Sequence, residues 1–187
     1  MYWVGIDNGT SGAVAIFKDA QAIEYFKMPI YEEQSYTKKA QQTSHVDCEV
    51  LKEKLRKYAN DPEGCRCMRE RPFTGMFYKA VVGAARADEA TTIVLRELNI
   101  SNQYCDSREW QRQMLPQNLG KMVRTKTGAL KRKIEPAELK EASCDIACRL
   151  FPQFKDQLLV IGKKGKVKKH DGDALILCEY FRRYYGA

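Results

Sequence analysis

The sequence lacks several patterns that would place a protein in a membrane or outside the cell. No apolar run approaches the roughly 18 residues of a membrane-spanning helix, and the N-terminus has no basic segment followed by an apolar one. Seven cysteines occur without a C-x-x-C pair, and there are only two histidines, so the spacing is not that of a zinc site. We therefore expect a soluble, unsecreted protein whose cysteines are small buried side chains in a reducing compartment.

Acidic residues are outnumbered, with 24 Asp and Glu against 32 Lys and Arg, which gives a net charge of +8. This excess favours a polyanionic partner, although charge alone does not separate DNA from RNA or a membrane surface. The length of 187 residues predicts one domain, residues 1–187, with a full hydrophobic core.

The N-terminal stretch predicts two strands, residues 2–6 and 13–17, joined by a glycine-containing turn. Asp7 then ends the first strand and faces the turn. A carboxylate held rigidly at the end of a strand is suited to act as a metal ligand or to form part of a phosphate site. The alternative is an ordinary turn aspartate, because Asn8-Gly9 is a strong turn pair.

A second carboxylate, Glu70, is predicted at the same edge of the sheet. Residues 22–28 read as a third antiparallel strand, followed by a surface loop (30–44) and a helix capped by Asp47. The next strand, beginning at Cys65, should return parallel to the first and beside it. Its last residue, Glu70, then lies next to Asp7 as a plausible metal pair. The alternative is a solvated glutamate that pairs with Arg69 or Arg71.

The middle of the chain predicts a long helix and then a basic segment. The long helix is predicted over residues 74–99. Small residues along one of its faces allow it to approach a sheet or a second copy of the helix closely. A strand (99–105) and a helix capped by Asp106 or Ser107 follow. Residues 117–133 contain no acidic residue and read as a flexible basic loop that binds phosphates, or else as a solvated charged surface.

The C-terminal part of the chain again combines a run of basic residues with acidic residues. A helix starts at Pro136, and a second basic run occupies residues 163–169. In the helix that follows, His170 and Asp173 are three residues apart and share a face of its first turn. Asp171 is either a functional acid or a helix cap.

With these pieces in order, the chain resembles the RuvC-like Holliday-junction resolvases of the ribonuclease-H superfamily, and most closely their phage-type branch. The resemblance is carried by five blocks that span nearly the whole chain in the expected order: residues 5–16, 68–73, 108–116, 140–152 and 170–180.

The resemblance implies an α/β fold, a ribonuclease-H-like mixed sheet of an antiparallel meander plus parallel strands, flanked by helices. It implies a homodimeric endonuclease that cuts four-way and other branched DNA in recombination and repair, leaving 5′-phosphate and 3′-hydroxyl ends. Asp7, Glu70 and Asp173 would be catalytic ligands of two Mg²⁺ ions, for which Mn²⁺ substitutes. His170 would be the fourth ligand, with Asp171 as the alternative because the spacing of this block departs from the family pattern.

The resemblance also implies partners and a location. Branched DNA would be bound through basic side chains, with no membrane and no nucleotide cofactor, in the cytoplasm of a bacterial or phage-infected cell or on its nucleoid. The predicted DNA-binding residues are Lys121, Arg124, Lys126, Lys131, Arg132, Lys133, Lys140, Lys163, Lys164, Lys166, Lys168 and Lys169.

Three other functions remain open on the sequence. A RuvC-like nuclease could process structured RNA, and a non-catalytic protein could bind branched DNA with the same scaffold. The turn after Asp7 is also close to the first phosphate motif of actin-like and sugar-kinase ATPases. Such ATPases need two domains of this fold, however, and 187 residues supply one.

Overall fold

The computed structural model describes residues 1–34, 42–72, 75, 77–124, 127, 129–161, 167–169 and 172–186. Its strands are β1 (Tyr2–Asp7), β2 (Ala13–Lys18), β3 (Gln21–Lys27), β4 (Ile30–Gln34), β5 (Gln42–Val46), β6 (Cys65–Glu70), β7 (Ser101–Cys105), β8 (Lys121–Arg124), β9 (Leu130–Lys133), β10 (Leu159–Ile161) and β11 (Val167–Lys169). Its helices are α1 (Cys48–Ala59), α2 (Tyr78–Glu97), α3 (Ser107–Met114), α4 (Pro136–Leu150), α5 (Lys155–Leu158) and α6 (Asp173–Tyr185).

Five strands form the central sheet, in the order β3-β2-β1-β6-β7. The first three strands along the chain make an antiparallel meander, because the turns that join them are short. β6 and β7 both run parallel to β1, and each is reached through a helix, α1 or α2. The predicted mixed sheet of meander plus parallel strands is confirmed.

Side chains of β1 alternate between two hydrophobic clusters, as the period of a strand requires. Trp3 packs in the cluster that contains α3, α4 and α6, whereas Val4 and Ile6 pack in the cluster that contains α1 and α2. The sheet is therefore buried on both faces, which explains why β1 and β2 read as near-continuous apolar runs.

Helix α6 packs directly across the centre of the sheet. A Cβ at Gly5 of β1 would lie 2.6 Å from the Ala174 carbonyl oxygen and 2.6 Å from the Cys178 Cβ. These distances are too short for any side chain, so the glycine allows the first two turns of α6 to lie against β1. This contact fixes the start of α6 beside the carboxyl end of β1.

Two stretches that we predicted as loops contain hairpins. Residues 30–44 were predicted to form a surface loop, but β4 pairs with β5, and Tyr31 stacks on His45 with ring centroids 5.4 Å apart. The basic stretch 117–133 contains the antiparallel pair β8 and β9. All residues of β4, β8 and β9 are exposed, so the sequences show no alternation of apolar and polar residues to reveal them.

Other local predictions agree closely with the structure. The backbone N–H of Val50 donates to the Asp47 side chain 3.0 Å away, which confirms that residue as the cap of α1. Asp106 caps α3 by accepting from the Arg108 backbone N–H. All seven cysteines are free thiols. Among the described helices, none has the length and apolar character needed to cross a membrane.

Candidate functional site

Asp7 and Glu70 end two neighbouring parallel strands. Ile6 of β1 is in register with Arg69 of β6, so the next residues on each strand, the two acids, also lie side by side. By alternation, Asp7 follows Trp3 and Gly5 on the face covered by α6, and Glu70 follows Met68 on that same face. Both carboxylates are partly exposed, as a site open to an external ligand requires.

The turn between β1 and β2 closes over the Asp7 carboxylate. A Cβ at Gly12 would lie 3.2 Å from Asp7 Oδ2 and 2.0 Å from the Asp7 carbonyl oxygen. Gly12 is held there by its backbone N–H, which donates to the Gly9 carbonyl, and by its own carbonyl, which accepts from the Met28 backbone N–H. The glycine is therefore required to leave room for the acid.

Asp173 is the first residue of α6 and lies at the same edge. The next residue, Ala174, contacts Gly5 of β1, two residues before Asp7 on the same face. The hydroxyl of Ser143, a fully buried residue of α4, donates to Asp173 Oδ1. Gly172 packs so tightly on α4 that a Cβ there would lie 2.6 Å from the Ala147 Cβ and 2.9 Å from the Ser143 carbonyl oxygen. Helix α4 thus fixes Asp173.

The chemistry of these donors fits a hard divalent cation. Asp7, Glu70 and Asp173 present only oxygen atoms, which Mg²⁺ and Mn²⁺ prefer. Burial, with smaller contributions from Glu109 and Glu70, raises the pKa of the neighbouring Cys105 to about 12, so this thiol stays protonated in the metal-free protein. Within the described part of the chain, no three acidic, histidine or cysteine side chains form a group close enough to hold a metal.

The structure places Asp7, Glu70 and Asp173 at one edge of the sheet, but not close enough together to form a metal-binding group. A fourth ligand was predicted beside them. His170 and Asp171, the alternatives for that place, lie outside the described residues. The assignment of all of these side chains as metal ligands stays a prediction.

The predicted DNA-binding residues fall into three groups. Five lie on the exposed hairpin of β8 and β9: Lys121, Arg124, Lys131, Arg132 and Lys133. Lys140 is exposed on α4. Lys126, Lys163, Lys164 and Lys166 lie outside the described residues, as do the side chains of Lys168 and Lys169 in β11.

Glycine and carboxylate contacts anchor the base of this hairpin to α4. The Gly120 backbone N–H donates to Glu138 Oε1 at 2.8 Å, and Gly120 has a positive φ of 83°, which favours glycine. Lys133 Nζ lies 2.8 Å from Glu135 Oε1. The rest of the basic surface is therefore carried by a ribbon whose base is fixed to the helix that also positions Asp173.

The sequence did not identify two sets of residues that support the site. Nothing in the sequence marked Ser143 as a residue that supports the site, because a single serine on an apolar helix face is common. Arg69 did carry a signal, since an arginine inside a buried strand needs a partner. A pairing of Glu70 with Arg69 or Arg71 was the alternative to the metal-ligand prediction, but Arg69 lies on the opposite face of the sheet and pairs with Asp88 of α2, with Nη1 and Oδ1 3.0 Å apart.

No protein-family model matches the sequence, and no curated protein matches it either. Solved structures do match. One is Thermus thermophilus RuvC in complex with a Holliday junction substrate, with 12% sequence identity and a TM-score of 0.56, over 100% of this chain and 95% of that chain. Another is a second Thermus thermophilus RuvC structure, with 11% identity and a TM-score of 0.49, over 100% and 97% of the two chains.

The first of these likenesses confirms the fold that the sequence motifs predicted. Sheet order, the meander, the parallel strands and the helices on both faces all belong to one architecture. The chain therefore has the ribonuclease-H-like α/β fold of RuvC.

Proposed function

We propose that this chain is a structure-specific endonuclease that hydrolyses phosphodiester bonds in four-way and other branched DNA. It would act as a single nuclease domain, residues 1–187, in recombination and repair. The observation that carries the proposal is the position of Asp7, Glu70 and Asp173 at one edge and on one face of a RuvC-like sheet. The structural neighbour with this fold was determined with a Holliday junction substrate.

Asp7, Glu70 and Asp173 would hold two Mg²⁺ ions, or Mn²⁺ in their place, with His170 or Asp171 as the fourth ligand. Divalent ions supply charge neutralisation at the attacking and leaving oxygens of a phosphodiester. The chain's own contribution is to fix the ligands. β1 and β6 set the spacing of two carboxylates, while the contact with Gly5 and the Ser143 hydrogen bond fix the third. Cleavage would leave 5′-phosphate and 3′-hydroxyl ends.

The DNA backbone would be bound by basic side chains next to this edge. Lys131 is exposed on β9, and β9 leads within three residues into α4, the helix that carries Lys140 and Ser143. At 1.5 Å per residue, the start of α4 lies roughly 10 Å from Ser143. This distance is shorter than the diameter of a DNA duplex. A duplex arm bound to the hairpin would therefore extend to the sheet edge that carries Asp7, Glu70 and Asp173.

Symmetric cutting of a four-way junction requires two sites related by a twofold axis, hence a homodimer. The N-terminal half of α2 is the surface that suits this role. Ala87, Thr91, Val94 and Leu95, which α2 buries in the core, lie from the middle of the helix onward, whereas Phe77 and Tyr78 at its start are 75% and 81% exposed. Small residues in this half of the helix allow two copies to approach closely.

The test is nicking of an immobile four-way junction, mapped on all strands and compared with a linear duplex of the same sequence. We expect Mg²⁺-dependent symmetric nicks in the junction alone. Asp7→Asn, Glu70→Gln and Asp173→Asn should each lower the rate by about 100-fold or more, because loss of a ligand should cost at least as much as loss of a group that orients one. Junction binding should be retained.

Asp156→Asn is the matched control, since this exposed acid lies in α5 and should cut like wild type. Full cleavage by Asp7→Asn would refute the metal-ligand assignment. Cleavage of a structured RNA in preference to the junction would instead identify an RNA-processing nuclease, and binding without cleavage would identify a non-catalytic junction-binding protein.

A further inference from the structure

A polar network lies on the face of the sheet opposite the proposed metal ligands. Its centre is Asp88, a residue of α2 whose side chain is 18% exposed. Asp88 Oδ1 accepts from Asn8 Nδ2 at 2.6 Å and from Arg69 Nη1 at 3.0 Å. Asp88 Oδ2 accepts from the Tyr104 hydroxyl at 2.7 Å. One carboxylate therefore bonds side chains from, or directly after, three neighbouring strands.

Two of these bonds come from residues adjacent in sequence to proposed ligands. Asn8 follows Asp7, and Arg69 precedes Glu70. Successive residues of a strand point to opposite faces, so a residue held by α2 fixes its neighbour's side chain on the α6 face. Because both bonds meet at the same oxygen of Asp88, the network fixes the end of β1 relative to the end of β6. That separation is the spacing between the Asp7 and Glu70 carboxylates.

The remaining partners make this arrangement rigid. Arg69 is 2% exposed and also donates to Thr92 Oγ1 at 2.8 Å and to Asn102 Oδ1 at 2.9 Å. Its guanidinium stacks 4.4 Å from the centre of the Tyr104 ring. Burial, and then the hydrogen bond to Asp88, raise the pKa of the Tyr104 phenol, so the hydroxyl stays a donor. Hydrogen bonds to several groups restrict the orientation of the buried Arg69 guanidinium.

We propose that Asp88, acting with Asn8 and Arg69, is a positioning residue that sets the distance between the Asp7 and Glu70 carboxylates and thereby the affinity of the site for divalent cations. This inference rests on the proposed function, because it assumes that these two acids are ligands. Groups that orient metal ligands commonly contribute 10–100-fold to metal affinity, and a site must be held within about 0.5 Å of its productive geometry.

The experiment measures Mn²⁺ affinity of the intact protein by titration calorimetry, together with the Mg²⁺ concentration for half-maximal junction nicking and the melting temperature. Asn8→Ala and Asp88→Asn should each weaken Mn²⁺ binding about tenfold and raise the Mg²⁺ requirement in parallel, while metal-free junction binding stays at the wild-type level. Asn8→Ala alone decides the question if Asp88→Asn fails to fold, because Asn8 is partly exposed and alanine fits in its place.

Two controls separate positioning from general stability. Tyr104→Phe removes a bond to the same carboxylate, but from β7, which carries no proposed ligand; it should lower the melting temperature and leave Mn²⁺ affinity unchanged. Glu97→Gln removes an α2 carboxylate that pairs with Lys52 at the C-terminal end of the helix and should also leave the affinity unchanged. The double variant Asn8→Ala with Asp88→Asn should bind Mn²⁺ no more weakly than the weaker single variant, because each substitution already disrupts the link from Asn8 through Asp88 to Arg69.

The outcomes distinguish failure of this inference from failure of the proposed function. Suppose that the wild type binds Mn²⁺ and nicks the junction, and that folded Asn8→Ala binds Mn²⁺ with the same affinity as the wild type. This result would overturn the positioning role alone. Equal weakening in Tyr104→Phe and Asn8→Ala would also overturn it, since it would indicate a general loss of stability. Absence of Mn²⁺ binding and nicking in the wild type would overturn the proposed function together with this inference.

Discussion

Gly5 and Ala174 are in direct contact although they lie near opposite ends of the sequence: a Cβ at Gly5 would be 2.6 Å from the Ala174 carbonyl oxygen. This contact places the start of α6 against β1 and therefore Asp173 beside the end of the strand that carries Asp7. The position of Asp173, the third proposed ligand, therefore depends on the absence of a side chain at Gly5.

Gly5→Ala should therefore displace α6. Its methyl group meets backbone atoms of α6 that have no room to move, and overpacking of this kind costs roughly 1–3 kcal/mol. Urea unfolding should report the loss, with weaker Mn²⁺ binding beside it. The matched control is Gly83→Ala in α2, where an added Cβ meets nothing within 4 Å; it should be stabilising by up to about 1 kcal/mol. Equal stability of Gly5→Ala and wild type would contradict the tight contact.

Ser143→Ala should lower both stability and cation affinity. The variant removes the hydroxyl that donates to Asp173 Oδ1, and a hydrogen bond to a charged group is worth roughly 1.5–3 kcal/mol. We expect a free energy of unfolding lower by about that amount and Mn²⁺ binding weakened by about tenfold, both measurable by calorimetry. Ser101→Ala, at an exposed position of β7, should change neither quantity. If Ser143→Ala binds Mn²⁺ like wild type, the hydroxyl does not orient a ligand.

Lys131→Ala should weaken junction binding evenly across DNA sequences. An exposed lysine that contacts one phosphate contributes about one unit to the slope of log affinity against log salt. Fluorescence anisotropy at several salt concentrations should therefore give a slope shallower by about 1. Lys57→Ala provides the comparison, because Lys57 pairs with Glu24 at 2.8 Å on α1 and should leave the slope unchanged. An unaltered slope for Lys131→Ala would remove the hairpin from the DNA interface.

Tyr78→Asp should dissociate the proposed homodimer. The side chain is 81% exposed at the start of α2, and a charge placed in a buried interface commonly weakens association by tenfold or more, about 1.4 kcal/mol. Sedimentation velocity across micromolar concentrations should show a monomer for this variant and a dimer for wild type. Val50→Asp, at a 37% exposed position of α1, should remain dimeric. A wild-type monomer at all concentrations would refute the dimer itself.

Much of the sheet was predictable because its signals are local. Bulky apolar runs on either side of a glycine turn identified β1 and β2, alternation identified β3, and the helix between strands fixed β6 as parallel to β1. The hairpins were missed because β4, β8 and β9 are exposed along their whole length and show no alternation of apolar and polar residues.

The proposed ligands were predictable for the same reason as the strands, since Asp7 and Glu70 mark strand ends. Their supports were not. The pairing of Arg69 with Asp88 joins a strand to a helix 19 residues away along the chain, and such a partner is chosen by the packing of α2 on the sheet. No pattern of spacing specifies it.

The contact between Gly5 and Ala174 also bears on when the protein acquires its activity. Closing so long a loop is a late and entropically costly event in folding. A nascent chain on the ribosome can pair β1 with β2 long before the C-terminal helix is synthesised, yet it has only part of its acidic edge. On the proposed function, a partly folded chain would thus be harmless to chromosomal DNA, and cutting would begin only once the whole molecule is in place.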